Sequence, residues 1–160
     1  MVQFSGSELV EVAVTIERAG IAFYNALAER TQDEATRSAY LDLARMEGDH
    51  LKTFQGILDT VGRYQPFEAY AEEHALYLSA LAGSAVFADD KVAVEMAQRA
   101  ANEAEAIQIA IGAEKDSILF YSEMRDLTRE RERPTIDRIV QEEKSHLRQL
   151  SDMKRRLAVS

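Results

Sequence analysis

Two short spacings in the chain, Glu47-Gly-Asp-His50 and Glu143-Lys-Ser-His146, each set a carboxylate and an imidazole three residues apart. On an α-helix that spacing sends both side chains to one side, so each pair can offer an oxygen and a nitrogen to a single metal ion. Glu17 and Glu114 stand at matching positions upstream of the two pairs, and the six residues together form a candidate cage for two metal ions. Four ionised carboxylates in an apolar interior would each suffer a desolvation penalty and repel one another, so protons or cations must neutralise them. Two divalent cations balance four carboxylates. Mixed oxygen and imidazole donors suit iron or manganese, and zinc would also bind.

The elements that must carry these residues are helices. Glu17-Arg-Ala-Gly-Ile-Ala-Phe-Tyr24 lines up with Glu114-Lys-Asp-Ser-Ile-Leu-Phe-Tyr121, and Glu47-Gly-Asp-His50-Leu with Glu143-Lys-Ser-His146-Leu, so the chain reads as a duplicated helical hairpin. Glu17 and Glu47 are 30 positions apart, and Glu114 and Glu143 are 29 apart. The first pair has its midpoint at Gln32 and the second between Thr128 and Arg129, each at an expected turn. In an antiparallel hairpin, residues equidistant from the turn face each other. Each Glu then lies about 14 residues, or about 20 Å, from its own turn, which puts all four carboxylates at one level.

The stripes around them are apolar. Glu17 shares its helical face with Val10, Ala13, Val14, Ile21 and Tyr24, and Glu47 and His50 share theirs with Tyr40, Leu43, Ala44, Leu51, Phe54 and Leu58. Ile107, Ala110, Ile111, Ile118 and Tyr121 flank Glu114, while Ile136, Ile139, Val140, Leu147, Leu150 and Met153 keep register with Glu143 and His146. Such carboxylates point inward.

Only seven Gly and two Pro punctuate the chain and no alternating strand pattern occurs, so the fold is expected to be all-α, a four-helix bundle of two antiparallel hairpins joined by a long, partly helical crossover. The first helix starts after Ser5, with Glu8 completing a capping box, and runs to about Arg30. After a turn at Thr31 to Asp33, a second helix spans about Glu34 to Val61 and stops near Gly62, before Pro66. The crossover holds a short helix at Phe67 to Ala82, a turn through Gly83 to Asp90 and another short helix to about Ala100. Asn102, with Glu105 three residues on, caps a third long helix to about Thr128, and Arg133-Pro134 opens the fourth.

At 160 residues and 46% hydrophobic composition, the chain is the size of one domain with a sizeable core, and residues 1–160 are read as a single unit. With 28 acidic against 19 basic residues, its net charge of −9 argues against nucleic acid and anionic membranes as partners. The absence of cysteine excludes disulfides, thiolate metal sites and a rubredoxin-type centre in this chain, so electrons must come from an external donor. No signal-peptide pattern opens the sequence and no uncharged apolar run approaches ~20 residues, so a cytoplasmic location is expected.

At Glu17 with Phe23-Tyr24, Glu47-x-x-His50, Glu114-Lys-Asp-Ser117 with Phe120-Tyr121, and Glu143-x-x-His146, the sequence resembles the rubrerythrin-like branch of the ferritin-like di-iron superfamily, over nearly its whole length. That resemblance implies a four-helix bundle binding two iron ions, with peroxide, dioxygen or ferrous iron as the small substrate. It implies a non-haem di-iron oxidoreductase of peroxidase or ferroxidase type, and pairing into a homodimer. The chain differs from classical rubrerythrins in lacking a rubredoxin domain. It also carries Ser117 where they have an extra Glu one turn after the third-helix ligand, so NADH-linked peroxidase activity does not carry over. The alternatives are an iron-binding or iron-delivery protein using the same ligands without turnover, and a bundle serving only as an interaction module.

Tyr24 and Tyr121 lie two turns beyond Glu17 and Glu114 on the same stripes, as core residues or as groups that hydrogen-bond a ligand or carry an electron. Asp49, Asp116 and Glu142 neighbour the six and could orient them, or face solvent. His74 lies on the crossover, outside both motifs, and is read as an exposed or structural histidine. Arg129-Glu-Arg-Glu-Arg133 is expected to be a solvated hairpin tip, and Lys154-Arg-Arg156 to favour the negative end of the last helix.

Overall fold

A computed structural model describes residues 6–61 and 72–160. They form α1 (Gly6–Arg30), α2 (Glu34–Val61), α3 (Glu72–Gly83), α4 (Asp90–Arg99), α5 (Glu103–Leu127) and α6 (Arg133–Ala158), with no strand among the described residues. The all-α expectation holds. The capping by Ser5, the stop at Gly62 and Pro66, and the start of the crossover helix at Phe67 lie outside the described residues. No helix among the described residues is long and apolar enough to cross a membrane.

The four long helices pair as two antiparallel hairpins, α1 with α2 and α5 with α6. The turn of the first is fixed at both ends. Arg37 donates to the carbonyls of Thr31 at 2.7 Å and Ala28 at 3.3 Å, closing α1, and Asp33 accepts from Thr36 N–H at 2.8 Å, opening α2. The second hairpin is pinned at both ends, by Arg125 donating to Asp137 at 2.8 Å near the turn and Lys154 donating to Gln108 at 2.5 Å near the open end.

Asn102 caps α5 by accepting from Glu105 N–H at 2.9 Å. Glu105 reaches back to Ala101 N–H at 2.6 Å, one residue before the cap. Thr31 and Tyr40 both donate to Glu103, at 3.1 and 3.3 Å, tying the first turn to the start of α5.

The crossover helices are not idle linkers. In α4, Ala93 and Ala97, followed by Ala100, are buried in one cluster with Ala19, Phe23, Ala26 and Leu27 of α1. Asp89 caps the start of α4 by accepting from Val92 N–H at 2.8 Å, and Arg30 donates to Ala97 O at 2.6 Å at its end. α3 rests on α5, with Ala75 and Leu78 buried.

One expectation is corrected. Within the charged run 129–133, Glu132 is buried, so the tip is not uniformly solvated. Glu132 occupies the N-cap position of α6, where the positive end of a helix favours a carboxylate.

Two apolar clusters fill the bundle. One contains Phe23, Tyr40, Leu43, Ile107 and Leu150, and the other Leu9, Phe54, Phe120, Ile136 and Ile139. Each long helix contributes to both, and between the two clusters every one of these helices carries buried polar residues.

Candidate metal centre

The structure brings all six proposed ligands together at that level. Glu17, Glu47, His50, Glu114, Glu143 and His146 are each at most 4% exposed, which leaves no solvent to stabilise their charges. They form two overlapping groups, Glu17, Glu47, His50, Glu143 and Glu47, Glu114, Glu143, His146, in each of which one donor atom per residue lies within 4.8 Å of the others. Glu47 and Glu143 belong to both groups, so the arrangement is two nests sharing two carboxylates.

The imidazoles enter in matching fashion. His50 Nδ1 lies 3.2 Å from Glu143, 3.4 Å from Glu47 and 3.7 Å from Glu17. His146 Nδ1 lies 3.0 Å from Glu143, 3.2 Å from Glu47 and 3.7 Å from Glu114. The rings stack with centroids 5.6 Å apart. On its far side, His50 Nε2 is 2.7 Å from Glu142 Oε2. With Nε2–H donating to Glu142, a neutral ring presents its lone pair at Nδ1, toward the cluster.

The tyrosines cross. Tyr24 of α1 donates to Glu114 of α5, and Tyr121 of α5 donates to Glu17 of α1 at 2.5 Å. Stripe arithmetic puts each tyrosine near the glutamate of its own helix, and only the packing of α1 on α5 sends the hydroxyl to the other. Burial, then the nearby carboxylates, push both phenols well above their usual range, so both stay protonated donors.

The electrostatics show what the site lacks. Burial foremost, then repulsion from Glu47 and Glu143, raises the Glu17 and Glu114 carboxyls well above the ordinary range. Burial opposes ionisation of Glu47 too, but hydrogen bonds from Glu17, His146 and His50 outweigh it and hold Glu47 low. For His146, burial disfavours the cation, yet Glu114, Glu143 and Glu47 overcome it and push the ring up to about 12. His50 is raised likewise by Glu143, Glu17 and Glu47.

Even so, Glu17 Oε2, His50 Nδ1 and Glu143 Oε1 lie buried without a hydrogen-bond partner among the described residues. Inward-facing buried oxygens and nitrogens left unsatisfied at spacings set for shared coordination fit a pair of divalent cations.

Of the neighbouring acids, Glu142 touches a cluster residue. Asp49 is exposed and lies near Lys52 and Arg45 at 3.3 and 3.8 Å. Asp116 accepts from Val86 N–H at 2.8 Å, holding the crossover to α5. His74 is exposed on α3.

Two residues were not foreseen. At Gly20, an added Cβ would lie 3.4 Å from Glu47 Cγ, so the small residue leaves room beside a cluster carboxylate. Phe87, in the loop before α4, packs on Phe23 in a tilted pair with ring centroids 4.7 Å apart and walls the same region. A glycine one turn after Glu17 was a readable signal, whereas nothing in the sequence marks Phe87.

Comparison with known proteins agrees with this geometry. Residues 8–154 match the family model described as Rubrerythrin. Among solved structures, the chain is similar to one from Thermotoga maritima, described as a candidate ferritin-like diiron-carboxylate protein, with 31% identity, 97% of each chain covered and a TM-score of 0.71. No curated protein matches the chain.

Proposed function

Since the chain belongs to the rubrerythrin family, with the ferritin-like diiron fold of its structural neighbour, we propose that the cluster holds two iron ions and that the protein is a non-haem di-iron oxidoreductase, acting on peroxide or dioxygen. The observation that carries this reading is the pair of overlapping nests sharing Glu47 and Glu143. A single structural ion would need only one nest. In this reading Glu17 and His50 would hold one ion, Glu114 and His146 the other, and Glu47 and Glu143, which belong to both nests, would serve the two together.

When bound, two ferrous ions supply the two electrons that, with two protons, reduce hydrogen peroxide to two waters, and an external donor restores them. The chain's own residues do the rest. The crosswise tyrosine hydroxyls fix the orientation of Glu17 and Glu114 and favour their ionised forms once the cations arrive. Glu142 aims the His50 lone pair inward. The apolar clusters on either side exclude bulk water, which strengthens every charge interaction between them. We include in the proposal a cytoplasmic location and a paired assembly.

The test is elemental analysis after anaerobic ferrous loading, followed by absorbance changes on adding peroxide and then dioxygen. Two irons per chain with a rapid oxidation-dependent band support the reading. Two irons that are released reversibly without oxidation would replace it with an iron-delivery role, and retention of zinc alone would remove iron altogether.

A further inference from the structure

The two nests are not equally accessible. Beside them lies a cavity of about 30 Å³, with Gly20 and Tyr24 of α1, Glu47 of α2, Glu114 and Ser117 of α5, and Phe87 of the crossover on its walls. It meets Glu47, which both nests share, and Glu114, which belongs to the His146 nest alone, whereas neither Glu17 nor His50 of the other nest lines it. A buried space needs about 10–15 Å³ to hold one water. This one therefore takes a molecule of roughly two heavy atoms.

Its size has identifiable causes. Gly20 contributes no side chain where a Cβ would approach Glu47. Ser117 is a small residue whose hydroxyl turns back to Ala113 O at 3.1 Å. On the outer side, Ile16, Ala85 and Phe87 also border a second space of about 400 Å³, where Glu8, Glu11 and Thr15 are exposed. The partition between the two spaces is thus two apolar side chains and an alanine. The loop carrying Phe87 is held by the Val86–Asp116 hydrogen bond and by Val86 lying against Gly112 of α5, where an added Cβ would meet Val86 Cγ2 at 3.3 Å.

We propose that this cavity is the size-selecting approach to the His146 nest, admitting neutral oxidants of two heavy atoms, hydrogen peroxide or dioxygen, and excluding organic hydroperoxides, with Phe87 setting the limit and Ser117 the floor. The proposal rests on the di-iron reading and names its substrate class. The exposed Glu11 on the outer side and the net charge of −9 disfavour the approach of anions, which leaves neutral species.

The experiment uses full-length protein loaded with ferrous iron under anaerobic conditions. Nitric oxide, a neutral diatomic, is the binding probe, followed by its absorbance band and electron-spin signal, and hydrogen peroxide and cumene hydroperoxide are the two oxidants. The expected wild-type result is fast oxidation by hydrogen peroxide and oxidation by cumene hydroperoxide slower by roughly a hundredfold, the range that pocket sterics supply.

Phe87→Ala raises the ratio of cumene hydroperoxide to hydrogen peroxide rates by about tenfold or more. Ser117→Leu slows nitric oxide binding by a similar factor while iron content stays at two per chain, and Ser117→Val gives a smaller effect should the leucine variant fold poorly. Equal rates with the two oxidants in the wild type, or nitric oxide binding unmoved by either Ser117 substitution in iron-loaded protein, would overturn the size-selecting role and leave the di-iron reading standing. Failure to load iron, or no oxidation by either peroxide, would instead overturn the di-iron reading and this inference with it.

Discussion

Each half of the duplicated sequence supplies the same three ligand types, yet their supporting contacts differ. In the second half Glu142 precedes Glu143 and receives His50 Nε2–H, while in the first half Met46 precedes Glu47. His146 Nε2 accordingly lies buried with no partner among the described residues. A carboxylate on the far side of a histidine raises its basicity and fixes its tautomer, and losing such a partner costs about 10–100-fold in metal affinity. The two positions are therefore expected to load unequally, the His50 position first. Glu142→Ala should weaken that step about tenfold and bring the two closer, which calorimetric titration with manganese would show as two phases merging into one. The tyrosines offer a parallel test. Tyr121→Phe strips Glu17 of the hydroxyl that donates to it, making the carboxyl harder to ionise, so iron affinity measured against a competing chelator should fall by about tenfold or more. Unchanged affinity would mean that Tyr121 only fills space.

Helix placement decides which of these contacts exist. α4 lies against α1 through alanines and is closed by the Arg30 guanidinium on the carbonyls of Ala97 and Gln98. Arg30→Ala leaves those carbonyls to water and removes a cation from the negative end of α4, a loss of about 1–2 kcal/mol expected in a urea unfolding curve. A midpoint within error of the wild type would show that the alanine contact alone holds α4. The four long helices were legible because each carries an unbroken stripe of large apolar residues with a carboxylate in the middle, and the level of Glu17, Glu47, Glu114 and Glu143 followed from distance to the turns. The docking of α4 was not legible, because Ala93, Ala97 and Ala100 carry too little hydrophobic contrast to mark a face. The crosswise tyrosines escaped for a different reason: a stripe reports which side of a helix a residue occupies and not which neighbouring helix it reaches. Glu132 escaped because alternating charges have no helical period to read.

At the scale of the whole molecule, the two apolar clusters close around four carboxylates, so the protein must choose between protons and metal. In the metal-free protein His146 is pushed up from 6.5 to about 12 by Glu114, Glu143 and Glu47 against its burial. The folded state thus keeps a proton that the unfolded chain releases above pH 6.5, and stability falls as the pH rises from there. The Glu17 and Glu114 carboxyls, raised by burial and by Glu47 and Glu143, also hold protons that the unfolded chain gives up above about 4.5, which adds to the loss. Glu47 is held low, so its contribution is lost as pH falls below 4.5. Metal-free protein should therefore be most stable near pH 4.5 and lose stability as the pH rises, more steeply above 6.5. Metal binding displaces those same protons, up to about four at neutral pH from Glu17, Glu114, His50 and His146, so its affinity rises with pH. The gap in melting temperature between metal-loaded and metal-free protein should consequently widen from pH 6 to pH 9, and loading in weak buffer should acidify the solution. Parallel melting curves and no proton release would mean that Glu17 and Glu114 are already ionised before any cation arrives, and would overturn the protonated state that their burial imposes.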